Sequence, residues 1–229
     1  MKKYLLILSA LFFSFQLTAQ SAWTNLSDGT FDHWHVYNHP GEPVSSKWTI
    51  DKEGAFVFDP NGSSDWNVND IVTNEDYEDF ELQLEWKIGK GGNSGIFYGV
   101  IEDQKLHTPY MSGPEIQVLD DENHPDAKQG KNNNRKGGSL YDMIPSASAA
   151  KPYDQWNSVT IKRKDNIITI WQNGVLAVTY PTSGEGWDAM VENSKFKGWE
   201  HFGKYSIGKI GLQDHGNVVS FRNIRIREL

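Results

Sequence analysis

Phe80, Leu82, Leu84, Trp86 and Ile88 occupy every second position of a nine-residue run, with Glu81, Gln83, Glu85 and Lys87 between them. A side-chain period of two fits an extended strand with one buried face, and it does not fit a helix. The same period recurs along the chain. Residues 159–163, 166–172 and 175–180 predict a meander. Lys164-Asp165-Asn166 makes its first turn and Asn173-Gly174 its second, the latter a pair suited to the left-handed residues of a tight hairpin. Residues 208–214 and 218–227 predict a closing pair of strands around His215-Gly216-Asn217. In the last strand Val219 and Phe221 give way to Ile224 and Ile226, a change of phase that predicts a bulge at Arg222-Asn223. No long segment carries a period of 3.6. The chain is therefore expected to be all-β, an antiparallel jelly-roll β-sandwich. Residues 121–143 and 184–203 follow neither period and are expected as long irregular loops, where function tends to concentrate.

Met1-Lys2-Lys3, an apolar run over residues 4–15, and Leu17-Thr18-Ala19-Gln20 read as a secretory signal peptide over residues 1–20. Residues 21–229 are then expected to form one domain. The apolar run is shorter than the roughly 20 residues of a membrane span, and no later stretch is longer. The 229 residues include no cysteine, which excludes disulfides, thiolate metal sites and a cysteine nucleophile. An exported chain without disulfides fits a bacterial periplasmic or secreted protein. The net charge of −8 argues against nucleic acid and anionic membrane surfaces as partners. Nine tryptophans serve either core packing or stacking against sugar rings, and composition alone does not choose.

Residues 113–121 read Gly-Pro-Glu-Ile-Gln-Val-Leu-Asp-Asp. Alternation puts Ile116 and Val118 on one face, and Glu115, Gln117 and Leu119 on the other. Residues 210–215 repeat the pattern, with Ile210 and Leu212 facing the core and Gly211, Gln213 and His215 facing away. A carboxyl, two amides and an imidazole on the non-core faces read either as solvated surface or as a sugar-binding cleft. Such an amide-rich set is unlike an ordinary Lys/Glu surface. His124-Pro125-Asp126 follows the first strand. His124 with Asp120 is a candidate orienting pair for proton transfer, or a source of nitrogen and oxygen ligands for a divalent ion. The plainer alternative is a turn-capping aspartate beside an exposed histidine. Concanavalin A-like sandwich glycosidases carry Glu-x-Asp-x-Glu on their catalytic strand, and here those positions read Glu115, Gln117 and Leu119. Retaining hydrolysis needs two carboxyl groups ~5–5.5 Å apart, which this strand does not supply.

The chain resembles the 3-keto-disaccharide hydrolase family. The resemblance rests on Asp79-Phe80-Glu81-Leu82, Gly92-Asn93-Ser94-Gly95-Ile96-Phe97-Tyr98, the Glu115 strand to Asp120 with His124-Pro125-Asp126, and Gly138-Ser139-Leu140-Tyr141-Asp142. It continues through Trp156-Asn157, Asn173-Gly174, Ile210 to Gly216, and Phe221-Arg222-Asn223-Ile224. It departs from the family pattern at Gly99, at residues 26–29 and at His33-Trp34. The resemblance implies a concanavalin A-like fold and action on glycosides already oxidised to a ketone at C3. Such a ketone acidifies the C2 proton, so a base, an acid and a stabiliser of the enolate suffice for elimination at C1, and water can then add to the unsaturated product. The expected catalytic residues are Glu115, His124, Asp120 and His215. Gln117, Gln213, Tyr98, Tyr141 and Asn93 are the expected substrate contacts. A divalent metal held by Asp120, His124 and Glu115 is a further candidate enolate stabiliser. The alternative from another class is a non-catalytic, lectin-like carbohydrate-binding module, which would use the same cleft without proton transfer.

Overall fold

The structure, a computed structural model, describes residues 21–64 and 67–229, so the expected signal peptide at residues 1–20 lies outside the described residues. The strands in chain order are β1 (Thr24–Asn25), β2 (Trp34–Val36), β3 (Trp48–Ile50), β4 (Phe56–Phe58), β5 (Ile71–Thr73), β6 (Phe80–Ile88) and β7 (Asn93–Val100). They continue as β8 (Glu115–Leu119), β9 (Asn157–Lys164), β10 (Ile167–Gln172), β11 (Val175–Pro181), β12 (Lys209–Leu212) and β13 (Val219–Glu228). One sheet runs β11-β10-β9-β6-β13-β4-β3 with β1 added to β13, and the other runs β2-β5-β12-β7-β8. All pairs are antiparallel, giving the jelly-roll sandwich that the alternation predicts.

The five apolar residues of β6 are buried and meet Ile96, Ile116, Val118, Ile210 and Leu212 of the second sheet in one core. Each such side chain contributes roughly 1.5–3 kcal/mol on leaving water. The meander turns carry left-handed residues at both central positions, with φ of +50° and +62° at Asp165 and Asn166, and +52° and +77° at Asn173 and Gly174. The phase change in the last strand is a bulge. Pairing of β13 with β6 shifts between Arg222 and Arg225, and Asn223 has φ +53°.

The expected closing pair does not form: β12 and β13 lie in different sheets and do not pair with each other, because residues 213–218 cross from one sheet to the other. Two further features depart from the expectation. Residues 184–203 are not wholly irregular, because Gly184–Glu192 forms a helix, α1. Two glycines in its first turn and a single buried anchor, Trp187, leave too weak a periodic signal to read in sequence. Trp187 stacks on Tyr180 and Phe202, each with ring centroids 6.1 Å apart, and Phe196 stacks on Phe202 at 3.9 Å. Second, β7 and β8 are buried on both faces. The loop after β8 returns along its free edge. Gly138 donates to the Gln117 carbonyl (2.8 Å), Gln117 to the Ser139 carbonyl (3.0 Å) and Tyr141 to the Glu115 carbonyl (3.0 Å). At the other end of the sheet an extra residue in β7, Gly99 with φ +63°, turns Val100 to the same side as Phe97. The two pack with Tyr37 and Val72 in a small cluster apart from the main core. Among the described residues no helix is long and apolar enough to cross a membrane.

Candidate active site

β7, β8 and the end of β12 form the floor of a cavity of about 350 Å³. The floor presents Asn93 from β7, Glu115 from β8 and Gln213 just beyond β12. Gln213 is held by its N–H, which donates to the Gly95 carbonyl at 3.0 Å, and by its carbonyl, which accepts from the Ser94 hydroxyl at 2.7 Å. Tyr141 arrives on the returning loop, His215 on the turn after β12, and Tyr110, Lys195, Phe196 and Trp199 complete the lining. The site face is the one opposite the core, so period-two alternation decides which residues reach it.

Glu115 is 8 % exposed, and among the described residues no hydrogen bond or ion pair holds its carboxyl. Burial pushes its pKa up to about 8, opposed by Lys195 and reinforced by Asp70 and Asp126. The carboxyl lies across Gly95 of β7. A Cβ at Gly95 would stand 2.4 Å from Glu115 Oε1 and 2.7 Å from its Cγ. Gly95→Ala is therefore expected to displace the carboxyl rather than the backbone. Overpacking should cost about 1–3 kcal/mol of stability, while a shift of about 1 Å at a reacting group lowers turnover by about 10²-fold. Thermal melts and kcat on one preparation check both parts.

His215 is exposed, and its Nε2 accepts from Asn93 Nδ2 at 3.3 Å. His124 stands behind it, the two rings 6.4 Å apart and nearly perpendicular. His124 Nδ1 accepts from the Asp126 N–H at 3.2 Å, so the neutral ring carries its proton on Nε2 and offers no lone pair there. Burial lowers the His124 pKa, against Asp126, with His215 lowering it further. Tyr141 donates to Asp126 Oδ2 at 2.9 Å, and Arg135 ties Asp126 (3.0 Å) to Asp142 (2.6 Å). The Oε1 of Gln213 and the Oδ1 of Asn93 are buried acceptors without a partner among the described residues. Groups of this kind are costly to leave unpaired, and they fit sugar hydroxyls.

Some expected residues sit elsewhere. Tyr98 is on β7 but at the opposite parity to Asn93, so it points into the core, where it accepts from the Tyr180 hydroxyl at 3.1 Å. It is not a substrate contact. Asp120 does not pair with His124. Its Oδ2 accepts from Gly91 N–H (2.7 Å) and Asn123 Nδ2 (2.8 Å), and its Oδ1 from the N–H groups of Glu122 and Asn123. Those four bonds make it a loop clamp and hold its pKa below the usual range despite burial. With Asp120 so committed, Asp120, His124 and Glu115 do not fit a metal ion as a ligand set, and no group of three such ligands occurs among the described residues. Gln117 is buried beside Gly95 rather than in the lining, with its Nε2 donating to the Arg135 carbonyl at 3.3 Å.

The sequence reading missed Tyr110, Lys195, Phe196 and Trp199, which sit on segments without periodicity. It also missed Asp70, just before the short β5. Asp70 Oδ1 accepts from the Asp214 N–H, and Asp214 Oδ2 accepts from the Asn69 N–H, both at 2.8 Å. This reciprocal clasp fixes the turn that carries His215. Burial, and then Asp214, raise the Asp70 pKa.

Residues 22–227 match the family described as the 3-keto-alpha-glucoside-1,2-lyase-like domain. A 3-keto-disaccharide hydrolase of Bacteroides thetaiotaomicron is 39% identical over an alignment that covers 90% of this chain and 78% of that protein. A Parabacteroides distasonis crystal structure classed with the glycosyl hydrolases is 32% identical with a TM-score of 0.80, covering 90% of this chain and 94% of that one. A second structure from the same organism, classed likewise, is 27% identical with a TM-score of 0.68, covering 91% and 100%.

Proposed function

This chain belongs to the 3-keto-alpha-glucoside-1,2-lyase-like domain family, and on that premise we propose that it breaks the glycosidic bond of glycosides already oxidised at C3. Membership supports an enzyme acting on glycosides. The finer reading rests on one observation: Glu115 is the only carboxyl residue among the described residues lining the cavity. One carboxyl does not serve retaining hydrolysis. It does serve an elimination that needs one acid and one base.

The role of Glu115 follows from its protonation. Glu115, with a pKa of about 8, is protonated at neutral pH and acts as the acid. His215, the imidazole of the lining, acts as the base. His215 removes the C2 proton, and the C–H electron pair forms the C2–C3 double bond of an enolate. When the C3 carbonyl re-forms, that pair becomes the C1–C2 double bond and the C1–oxygen bond breaks. Glu115 gives its proton to the departing oxygen. Water adding at C1 turns the lyase product into the product of net hydrolysis. The unpartnered amide oxygens of Asn93 and Gln213 bind sugar hydroxyls, and His124 steadies the base. A lectin-like module would use the same amides and aromatic wall, but it gains nothing from a carboxyl held protonated at a cost in stability.

The test is proton exchange in D₂O. Substrate recovered at partial conversion of a 3-keto glucoside is expected to carry deuterium at C2. Cleavage to a product that keeps the original C2 protium in D₂O would exclude the enolate route.

A further inference from the structure

We infer that Lys195 is a further catalytic residue, its ammonium receiving the negative charge that develops on the C3 oxygen of a keto sugar in the cavity. The inference rests on the reaction proposed above and assigns a group to its most demanding step. Removing the C2 proton places a full charge on the C3 oxygen, and a preorganised positive group there supplies one of the largest single contributions open to such a site.

The lining divides by chemistry. Asn93 Oδ1 and Gln213 Oε1 are acceptors, the Asn93 amide N–H is given to His215, and the Gln213 amide N–H is a neutral donor, so neither amide brings a positive charge to an oxyanion. The Tyr141 hydroxyl is already donated to Asp126. His215 is taken up as the base of the reaction proposed above. Lys195 is the only lysine or arginine among the described residues of the lining. Its ammonium makes no hydrogen bond or ion pair among the described residues. It lies instead 4.0 Å from the centroid of the Tyr141 ring and 5.1 Å from that of Phe196. Cation–π contact fixes the charge in place while leaving its three N–H donors free. The backbone is fixed as well, since the Lys195 N–H donates to Asp142 Oδ2 at 3.2 Å. Lys195 and Glu115 line the same cavity, so the enolate oxygen and the proton donor for the leaving group are served within one small volume. Burial lowers the lysine pKa, against the pull of Glu115 and Asp142, as expected for an ammonium that has given up part of its water.

The step balances without a co-reactant. The C2–H pair enters the C2–C3 bond, the carbonyl π pair moves to oxygen, and the proton goes to the base. Lys195 keeps all three of its protons and forms no covalent bond.

Lys195→Met and Lys195→Arg test the inference on C2 deuterium exchange, kcat and KM with a 3-keto glucoside, beside melting curves. Lys195 is exposed as a residue, so both variants should melt like the parent protein. Lys195→Met is expected to lose about 10²–10³-fold in both exchange and kcat, the cost of one oxyanion donor, with a much smaller change in KM. Lys195→Arg, which keeps the charge, should recover part of the loss. Exchange in Lys195→Met within about threefold of the parent would overturn the assignment. Borohydride trapping of the sugar on Lys195 would overturn it too, in favour of an imine. Failure of the underlying reaction looks different: the parent protein would neither exchange C2 nor cleave the keto sugar.

Discussion

Glu115→Gln is expected to stop cleavage of a 3-keto glucoside while leaving C2 exchange intact and making the protein more stable above neutral pH. The three outcomes share one cause. In the folded protein the Glu115 carboxyl holds its proton up to about pH 8, whereas an unfolded glutamate releases it near 4.3. Between those values the native state binds more protons than the unfolded state, so stability falls as pH rises. The full cost, reached above pH 8, is at most about 5 kcal/mol. Glutamine has nothing to ionise. Its melting temperature should exceed that of the parent by several degrees at pH 8–9, with the gap closing towards pH 4. The parent's kcat/KM should fall as pH rises through about 8, where the acid is lost. A rate that rises through pH 8 would make Glu115 the base instead, and exchange would then disappear with cleavage in Glu115→Gln. Matching stability–pH curves for the two proteins would show that the carboxyl is not held protonated.

A 3-keto glucoside is expected to be cleaved at least ~10³-fold faster than the same glucoside with an ordinary C3 hydroxyl. That ratio is of the order of what general acid–base assistance contributes to proton transfer. Without the ketone the C2 proton is not acidic enough for an imidazole or a carboxylate, and the elimination closes. The other route needs a second carboxyl beside Glu115, and on β8 the position two pleats along is Leu119. Product analysis on the keto sugar and its unoxidised parent gives the ratio. Equal rates would refute the elimination and direct attention to Asp70, the buried carboxyl whose charge is felt at Glu115. Asp70→Asn would then abolish activity on both sugars.

Period two, read along the chain, located β6, β8 to β11, β12 and β13, but not β7 or the two- and three-residue strands β1 to β5, which are too short to show an alternation. It found β6 to the residue, both left-handed turns of the meander, and the bulge at Asn223. It also put Glu115 and Gln117 on the face opposite Ile116 and Val118. These are local properties, because a strand has two faces and a buried one must be apolar. The same rule would have placed Tyr98 correctly, since its parity is that of Ile96. The motif on which it lies drew it towards the site instead.

Position in three dimensions was not legible. Asp120 and His124 are close in sequence, but the backbone N–H groups of the loop compete for the Asp120 carboxylate and take it, because an unpaired buried amide costs more than a weak side-chain pair contributes. Lys195, Phe196 and Trp199 come from a segment without periodicity. They reach Glu115 only because Trp187 anchors α1 against Tyr180. Asp70 reaches the site only through a clasp between two strands distant in the chain. The sequence by itself determined the faces of the strands and the residue that carries the carboxyl. The tertiary structure decided what surrounds that carboxyl, and so whether it is charged, because a pKa depends on burial and on neighbours that no local pattern records.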